Sequence, residues 1–248
     1  MSTELYESYF LIIGCGHSEA VENFNNNALL HHGNQNLLVD CGHTVKHALN
    51  AQSLNIGQID AIFITHVHGD HVFGLERVAY ESKFKYQKKI KLILREEVIT
   101  ELWSETLKGS LGYNSDGSAS LEDYFDLVIL KEDYFFFNGL RIDLVRVNHT
   151  PGKSTHGIVV DNKIFYSSDT LAIPETINTL DFKVGFHDVT LSDFNPVHAT
   201  LDSLINEYSY DIRKKLYLMS YEDSWREYQN IVEDNFRGYA TQGMKVLL

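Results

Sequence analysis

The most constraining feature of this chain is a cluster of metal-binding residue types at the end of an apolar run. The segment 62–74 reads IFITHVHGDHVFG and places His66, His68, Asp70 and His71 within six positions. His66 and His68 are two apart, so their imidazoles point to the same side of an extended stretch. Asp70 and His71 follow at a GD pair that permits a tight bend. The segment can therefore offer two imidazoles to one metal ion, and a carboxylate with an imidazole to a second.

Each ion needs further ligands, because a catalytic zinc ion normally has three protein ligands and one open position. Two candidates stand at predicted strand ends: His149 follows the run LRIDLVRV, and Asp169 ends the segment KIFYSSD. Strand ends offer side chains to a cleft at the edge of a sheet. The two carboxylate oxygens of Asp169 suit it for bridging two ions. Imidazoles mixed with carboxylates suit Zn²⁺, with Mn²⁺ as the alternative metal.

The order of the predicted elements indicates a mixed α/β fold. YFLIIG, NALLHHG and QNLLVDCG are typical of consecutive strands, with a hairpin turn at Gly33-Asn34. A helix is predicted over 44–54, and IDAIFIT is a buried strand that leads into the histidine cluster. Later strands alternate with helices predicted over 199–208 and 224–234, and the Gly- and Ser-rich segment 109–120 is typical of a mobile loop. Two packed sheets with helices outside accommodate this order.

Composition narrows the classes of function. The chain has 248 residues, of which 44% are hydrophobic, enough for a sizeable core. Its formal net charge of −13 argues against broad binding to nucleic acid, which requires a cationic surface. Cys15 and Cys41 make no disulfide framework and indicate a cytosolic-type compartment. Because the N-terminal segment lacks a basic region and a long apolar run, we expect a soluble cytoplasmic protein without a membrane partner.

At this point the motifs resemble those of a known superfamily. THVHGDH resembles the HxHxDH motif of the metallo-β-lactamase fold, and VDCG, HTPGKSTHG and SSDT resemble its other landmarks in the same order. The resemblance implies that residues 1–248 form one domain, an αββα four-layer sandwich, with a dinuclear zinc site between the sheets. The ligands that it implies are His66, His68 and His149 for one ion, Asp70 and His71 for the other, and Asp169 bridging both.

One position departs from the superfamily pattern. Many members carry a last histidine at a strand end, whereas the corresponding stretch here, LYLMSYED, has Ser220 in its place. Three outcomes remain open: a water fills the position, a nearby acid such as Glu222 or Asp223 takes over, or the second ion binds weakly. Asp70, His71 and Asp169 still supply three ligands.

Two further segments resemble signatures of the ribonuclease Z branch. FHDVT (186–190) and VHAT (197–200) resemble its HEAT and HST motifs, with Asp188 and His198 in the places of the glutamate and the histidine. A histidine oriented by a carboxylate can donate a proton to a leaving alkoxide. Asp70, Asp188 and His198 are therefore the candidate catalytic residues. A strand end and a helix start are the alternative explanation for Asp188 and His198.

The layout favours a small phosphodiester substrate. Bacterial ribonuclease Z carries its tRNA-gripping arm between the equivalents of His149 and Asp169, and here 169 − 149 = 20 positions leave no room for it. The size and layout most resemble the phage-encoded anti-Pycsar phosphodiesterases. That resemblance implies hydrolysis of cyclic mononucleotides by a homodimer in the cytoplasm, or in the host cytoplasm for a phage protein. The loop 109–120 is the candidate for reaching the partner.

Other functions also remain as alternatives. A tRNA 3′-processing endonuclease without the arm, a non-catalytic nucleotide sensor, and a lactonase or thioesterase all suit this fold, which alone does not determine chemistry. Tyr113 and Tyr221 are candidates for stacking on a base. The remaining histidines that we considered are interpreted as ordinary residues, with a place in the cleft as the alternative for His156 because it closely follows the His149 turn. They are His17, His31, His32, His43, His47 and His156.

Overall fold

Sixteen strands are present in the computed structural model, which describes residues 7–192 and 195–248. In chain order they are β1 (Tyr9–Gly14), β2 (Asn27–His32), β3 (Gln35–Val39), β4 (Ala61–Phe63), β5 (Ile90–Arg95), β6 (Tyr113–Asn114), β7 (Gly117–Ser118), β8 (Phe125–Leu130), β9 (Tyr134–Phe137), β10 (Leu140–Arg146), β11 (His156–Val160), β12 (Ile164–Tyr166), β13 (Val184–Asp188), β14 (Leu216–Met219), β15 (Gly238–Tyr239) and β16 (Lys245–Leu247). Of these, β6, β7, β9, β15 and β16 had no predicted counterpart.

The strands form two seven-stranded sheets of similar design. The first has the order β16-β1-β2-β3-β4-β5-β8, and the second has the order β15-β14-β13-β12-β11-β10-β9. In each sheet, one half is antiparallel and the other half is parallel. The parallel strands run from β3 to β8 in the first sheet and from β12 to β15 in the second, and the remaining neighbours are antiparallel. The hairpin turn predicted at Gly33-Asn34 is confirmed, since both residues have positive φ angles, +55° and +66°.

Short helices connect the strands. The α-helices are α1 (Val45–Ala51), α2 (Gly69–Val72), α3 (Leu75–Tyr80), α4 (Lys108–Leu111), α5 (Pro174–Ile177), α6 (Leu201–Glu207), α7 (Tyr210–Arg213) and α8 (Gln229–Asn235). Single 3₁₀ turns lie at Ile56–Gln58, Glu96–Val98, Leu121–Asp123 and Asp223–Tyr228, and π-helical turns at Glu81–Lys85 and Glu101–Leu107. The segment 109–120, expected to be a mobile loop, instead contains the end of α4 and the small hairpin β6–β7.

Alternating side chains divide the core into layers. Along β1, Phe10 and Ile12 face the second sheet and pack in the core between the sheets, which Phe186 joins from the other side. Leu11 and Ile13 face outward and pack beneath α1 and α3. The outer face of the second sheet is covered by α6 and α8. This αββα arrangement confirms the fold expected from the sequence.

The parallel strands of both sheets end near one another, and the site lies at that end. Chain turns there are sharp: Asp40, Ser168 and Ser220 follow β3, β12 and β14, and they have positive φ angles of 64°, 55° and 63°. Such backbone conformations are unfavourable for residues other than glycine and concentrate at functional sites. None of the helices in residues 7–192 and 195–248 combines the length and apolarity needed to cross a membrane.

Candidate active site

Three imidazoles and one carboxylate converge beyond the end of β4. Nε2 of His66 and Nε2 of His149 each lie 3.1 Å from Nδ1 of His68. Oδ2 of Asp169 lies 3.9 Å from His66 Nε2 and 4.0 Å from His149 Nε2. Tetrahedral ligands at about 2.0–2.1 Å from an ion are separated by about 3.3 Å from one another. The spacings therefore suit a metal ion at the centre of the group.

Burial keeps the imidazoles of His66 and His68 in the neutral form that binds metal ions. Removal from water lowers the pKa of His66 well below its ordinary value, and it lowers the pKa of His68 to about 4. The Nδ1 atoms of two rings, which point away from the centre, also have polar partners. His66 Nδ1 lies 3.0 Å from Thr65 Oγ1, and His149 Nδ1–H donates to the carbonyl oxygen of Val197 at 2.9 Å. These contacts leave Nε2 of each ring facing the centre.

Asp70, His71 and Asp169 form a second group. His71 Nε2 lies 3.1 Å from Asp169 Oδ2 and 3.3 Å from Asp70 Oδ2, while its Nδ1–H donates to Asp40 Oδ2 at 2.8 Å. Burial alone would lower the pKa of His71, but the three carboxylates raise it well above its ordinary value. The pKa of Asp169 lies well below its usual range despite burial, because His71 favours the carboxylate. Three carboxylates around one imidazole leave an excess of negative charge that a divalent cation would neutralise.

Asp169 belongs to both groups. Its Oδ2 faces the imidazoles, whereas its Oδ1 is buried and has no hydrogen-bond partner within residues 7–192 and 195–248. A buried carboxylate oxygen without a partner is costly, and a second cation would satisfy it. The residues therefore fit two ions. All six ligands predicted from the sequence lie in these two groups: His66, His68, Asp70, His71, His149 and Asp169.

Asp188 and His198 are hydrogen-bonded to each other beside the metal-binding groups. His198 Nδ1–H donates to Asp188 Oδ2 at 2.7 Å, and the same oxygen accepts the backbone N–H of Thr170 at 2.7 Å. His198 Nε2 then faces the site, 4.0 Å from Asp169 Oδ2. Burial would lower the pKa of His198, but the carboxylate of Asp188 raises it to about 9. The structure thus places both residues in the arrangement of an oriented proton donor.

A cavity of about 600 Å³ opens onto these residues. Besides the metal-binding side chains, it is lined by His17, Ser18, Glu19, Ser192, Asn195, Pro196, Val197, His198 and Glu222. His17, interpreted from the sequence as an ordinary histidine, thus lines the cavity without belonging to either metal-binding group of the described residues. The sequence contained no signal for it, because the loop between β1 and β2 reaches the site only through the packing of the two sheets.

The structure also limits what could replace the absent histidine. Both carboxylate oxygens of Glu222 are engaged, one by Thr190 Oγ1 at 2.6 Å and the other by the backbone N–H of Leu191 at 2.8 Å. Asp223 accepts two backbone N–H groups of the loop at residues 21–22. Within residues 7–192 and 195–248, neither acid joins the two metal-binding groups.

The two tyrosines proposed to stack on a base differ in exposure. Tyr221 is 2% exposed and donates its hydroxyl hydrogen to the carbonyl oxygen of Ala240, so its predicted stacking role is wrong. Tyr113 lies on the β6–β7 hairpin and is 79% exposed.

The fold and the site together define a metallo-β-lactamase-fold protein with two adjoining groups of metal-ligating side chains. The metallo-beta-lactamase fold protein YhfI from Bacillus subtilis superimposes with a TM-score of 0.76 at 16% identity, covering 98% of this chain and 100% of that one. The chain itself belongs to the anti-Pycsar protein Apyc1 family, whose model matches residues 8–246. Anti-Pycsar protein Apyc1 of Paenibacillus sp. (strain J14) is 38% identical over 243 residues, which cover 95% of this chain and 94% of the relative. Apyc1 of Bacillus phage 010DV004 is 32% identical over 253 residues, covering 96% and 97%.

Proposed function

We propose that this protein is a metal-dependent phosphodiesterase that hydrolyses 3′,5′-cyclic mononucleotides to nucleoside monophosphates and so removes a cyclic-nucleotide immune signal. The observation that carries the proposal is one cavity lined both by members of two groups of possible metal ligands and by a carboxylate-oriented imidazole. Membership of the anti-Pycsar family supplies the substrate class. The cavity of about 600 Å³ has the size of a small-molecule site.

We propose Zn²⁺ as the metal, with Mn²⁺ as the alternative, because imidazoles and carboxylates are ligands of both. One ion would be held by His66, His68 and His149 and the other by Asp70 and His71, with Asp169 between them. Bound ions would supply positive charge to polarise a phosphoryl oxygen and would lower the pKa of a water to about 7.

The protein's own groups perform the remaining steps. His198 Nε2–H donates its proton to the ribose oxygen as its bond to phosphorus breaks, since an alkoxide leaves poorly when unprotonated. Asp188 holds the imidazole in the tautomer that presents this N–H and stabilises its charge. Asp70 lines the cavity and accepts a hydrogen bond from the attacking water. Water adds to phosphorus as Asp70 takes one of its protons, the ester bond to the ribose oxygen breaks as His198 protonates that oxygen, and a monoester and a hydroxyl group result.

A tRNA substrate is disfavoured by the second sheet. Between His149 and Asp169 the chain forms only a turn, β11 and β12, so no arm projects there to grip tRNA. The net charge of −13 also disfavours a polyanionic substrate.

The decisive experiment is a turnover screen of purified protein loaded with zinc or manganese, with metal content measured in the same sample. We expect hydrolysis of cAMP and cCMP that is abolished by a chelator and restored by adding the metal. Intact cyclic nucleotides after long incubation would contradict the proposal. Cleavage of a 3′-extended tRNA precursor in their place would favour the endonuclease, and tight nucleotide binding without turnover would favour the sensor.

We further propose a homodimer in the cytoplasm, or in the host cytoplasm when phage-encoded. The β6–β7 hairpin carries the exposed ring of Tyr113 and is our candidate for reaching the partner. Cys15 and Cys41 are both free and buried, as in proteins of a reducing compartment. Light scattering of wild type and Tyr113→Ser tests the assembly, and a wild-type mass of a single chain would contradict it.

A further inference from the structure

His17 is held in the cavity wall by the ends of two strands. It follows β1, and its backbone N–H donates to the carbonyl oxygen of Tyr221 at 3.0 Å, just beyond β14. Its ring stands edge-on to that of His198, with centroids 5.3 Å apart and planes at 72°. His17 belongs to neither metal-binding group of the described residues, although it lines the same cavity. Its imidazole therefore extends the site beyond His198.

The side-chain amide nitrogen of Asn195 lies 3.2 Å from Nε2 of the His17 ring. The other ring nitrogen, Nδ1, has Ser18 Oγ and the backbone nitrogen of Glu19 near it, each at 3.4 Å. In the tautomer that carries its hydrogen on Nδ1, this N–H faces the Ser18 hydroxyl, and Nε2 accepts a hydrogen bond from the Asn195 amide. This tautomer keeps the amide oxygen of Asn195 toward the backbone N–H of Val197, 3.5 Å away.

The amide of Asn195 is therefore oriented at both ends, by His17 at its nitrogen and by Val197 at its oxygen. An amide NH₂ group has two hydrogens, and one ring nitrogen accepts only one of them. Because Asn195 lines the cavity, the second hydrogen can be donated to a bound molecule.

We propose that Asn195, oriented by His17, hydrogen-bonds the ribose of the cyclic nucleotide. The inference rests on the proposed function, in which His198 protonates the leaving ribose oxygen. The sugar attached to that oxygen must lie beside His198, and His17 and Asn195 line the cavity there. Asn195 is then a binding residue and His17 a positioning residue, which acts through the amide.

The test compares a substrate with a ribose against one without it. For wild type, Asn195→Ala and His17→Ala, kcat/KM is measured with cAMP and with bis(p-nitrophenyl) phosphate. We expect each variant to lower the ratio of the two values about threefold to tenfold, the worth of one hydrogen bond. His17→Gln, whose amide oxygen can accept from Asn195 near the Nε2 position, should restore most of the ratio, and His17→Phe should not. The double variant should resemble the single ones, because both remove one interaction.

A partly unfolded variant lowers both activities together and leaves their ratio unchanged, so the ratio separates binding from folding. His47→Ala, an exposed histidine on α1 outside the cavity, is the matched control. An unchanged ratio in Asn195→Ala, or loss of bound metal from His17→Ala, would overturn the inference and leave the proposed function intact. Wild type that hydrolyses bis(p-nitrophenyl) phosphate but not cyclic nucleotides would overturn both.

Discussion

The two sheets supply the site in different ways. The first sheet supplies four ligands within six consecutive positions beyond β4, from His66 to His71. The second supplies single residues from the ends of separate strands, among them His149 after β10, Asp169 after β12 and Asp188 on β13. The first contribution is local in sequence, whereas the second exists only once the strands have paired.

Their support differs as well. In the first sheet, one buried carboxylate, Asp40, accepts the backbone N–H of Thr65 at 2.9 Å, the hydroxyl of Thr65 at 2.8 Å and Nδ1–H of His71 at 2.8 Å. In the second sheet each side chain has its own support, such as the Val197 carbonyl for His149. We therefore expect that removing the shared carboxylate disturbs the whole first cluster of ligands. A substitution in the second sheet should remove only the function of the residue that is replaced.

Asp169→Asn should have the largest effect, because this residue joins the two contributions. The amide replaces a charged oxygen that faces both groups, so we expect kcat/KM for cyclic nucleotides to fall about a thousandfold, as for the loss of several kcal/mol. Metal analysis should show at least one ion lost per chain. Asp161→Asn, which removes a surface carboxylate paired with Lys163, is the control. Full metal content with near-normal turnover would contradict the bridging role.

His198→Ala should come next and should spare the metal ions. Loss of a general acid costs about a hundredfold or more in kcat for a leaving ribose oxygen. p-Nitrophenolate leaves readily without a proton, so hydrolysis of bis(p-nitrophenyl) phosphate should fall much less. Asp188→Asn should show the same pattern more weakly. Equal losses on both substrates, or loss of metal, would show that His198 has a role other than proton donation.

Asp40→Asn tests whether one shared carboxylate positions the whole first cluster of ligands. Residues that orient metal ligands from behind change metal affinity by about tenfold to a hundredfold. We expect a loss of that order in a metal titration, accompanied by a lower unfolding temperature of the metal-loaded protein. Asp60→Asn is the matched control, a half-exposed acid that accepts the backbone N–H of Asn36 in the same sheet. Unchanged metal affinity would mean that Thr65 and His71 hold their positions without this carboxylate.

The same contrast explains what the sequence could predict. The His66–His71 cluster was recognisable because its spacing and chemistry are both local, and the αββα fold followed from the resemblance that its motif carried. His149 and Asp169 were found at predicted strand ends. His17 and Asn195 were missed, because their loops meet only through tertiary packing and neither carries a motif. The hairpin within 109–120 was mistaken for a mobile loop, since Gly and Ser are typical of turns as well as of mobile segments.

Ser220→Ala should have the smallest effect. It tests whether Ser220 takes any part in metal binding at the position where a last histidine is absent. Ser220 is buried beyond β14, and its backbone N–H donates to the carbonyl oxygen of Cys15 at 2.8 Å, a contact that alanine retains. Because Ser220 is not among the residues that line the cavity, we expect kcat/KM and metal content to stay within about twofold of wild type, less than about 0.5 kcal/mol. Selective loss of one ion from Ser220→Ala would instead show that this hydroxyl, directly or through a water, completes the second metal-binding group. That result would make the end of β14 a third point of metal support from the second sheet, after His149 and Asp169, and the contrast between the two sheets would be weaker than the structure indicates.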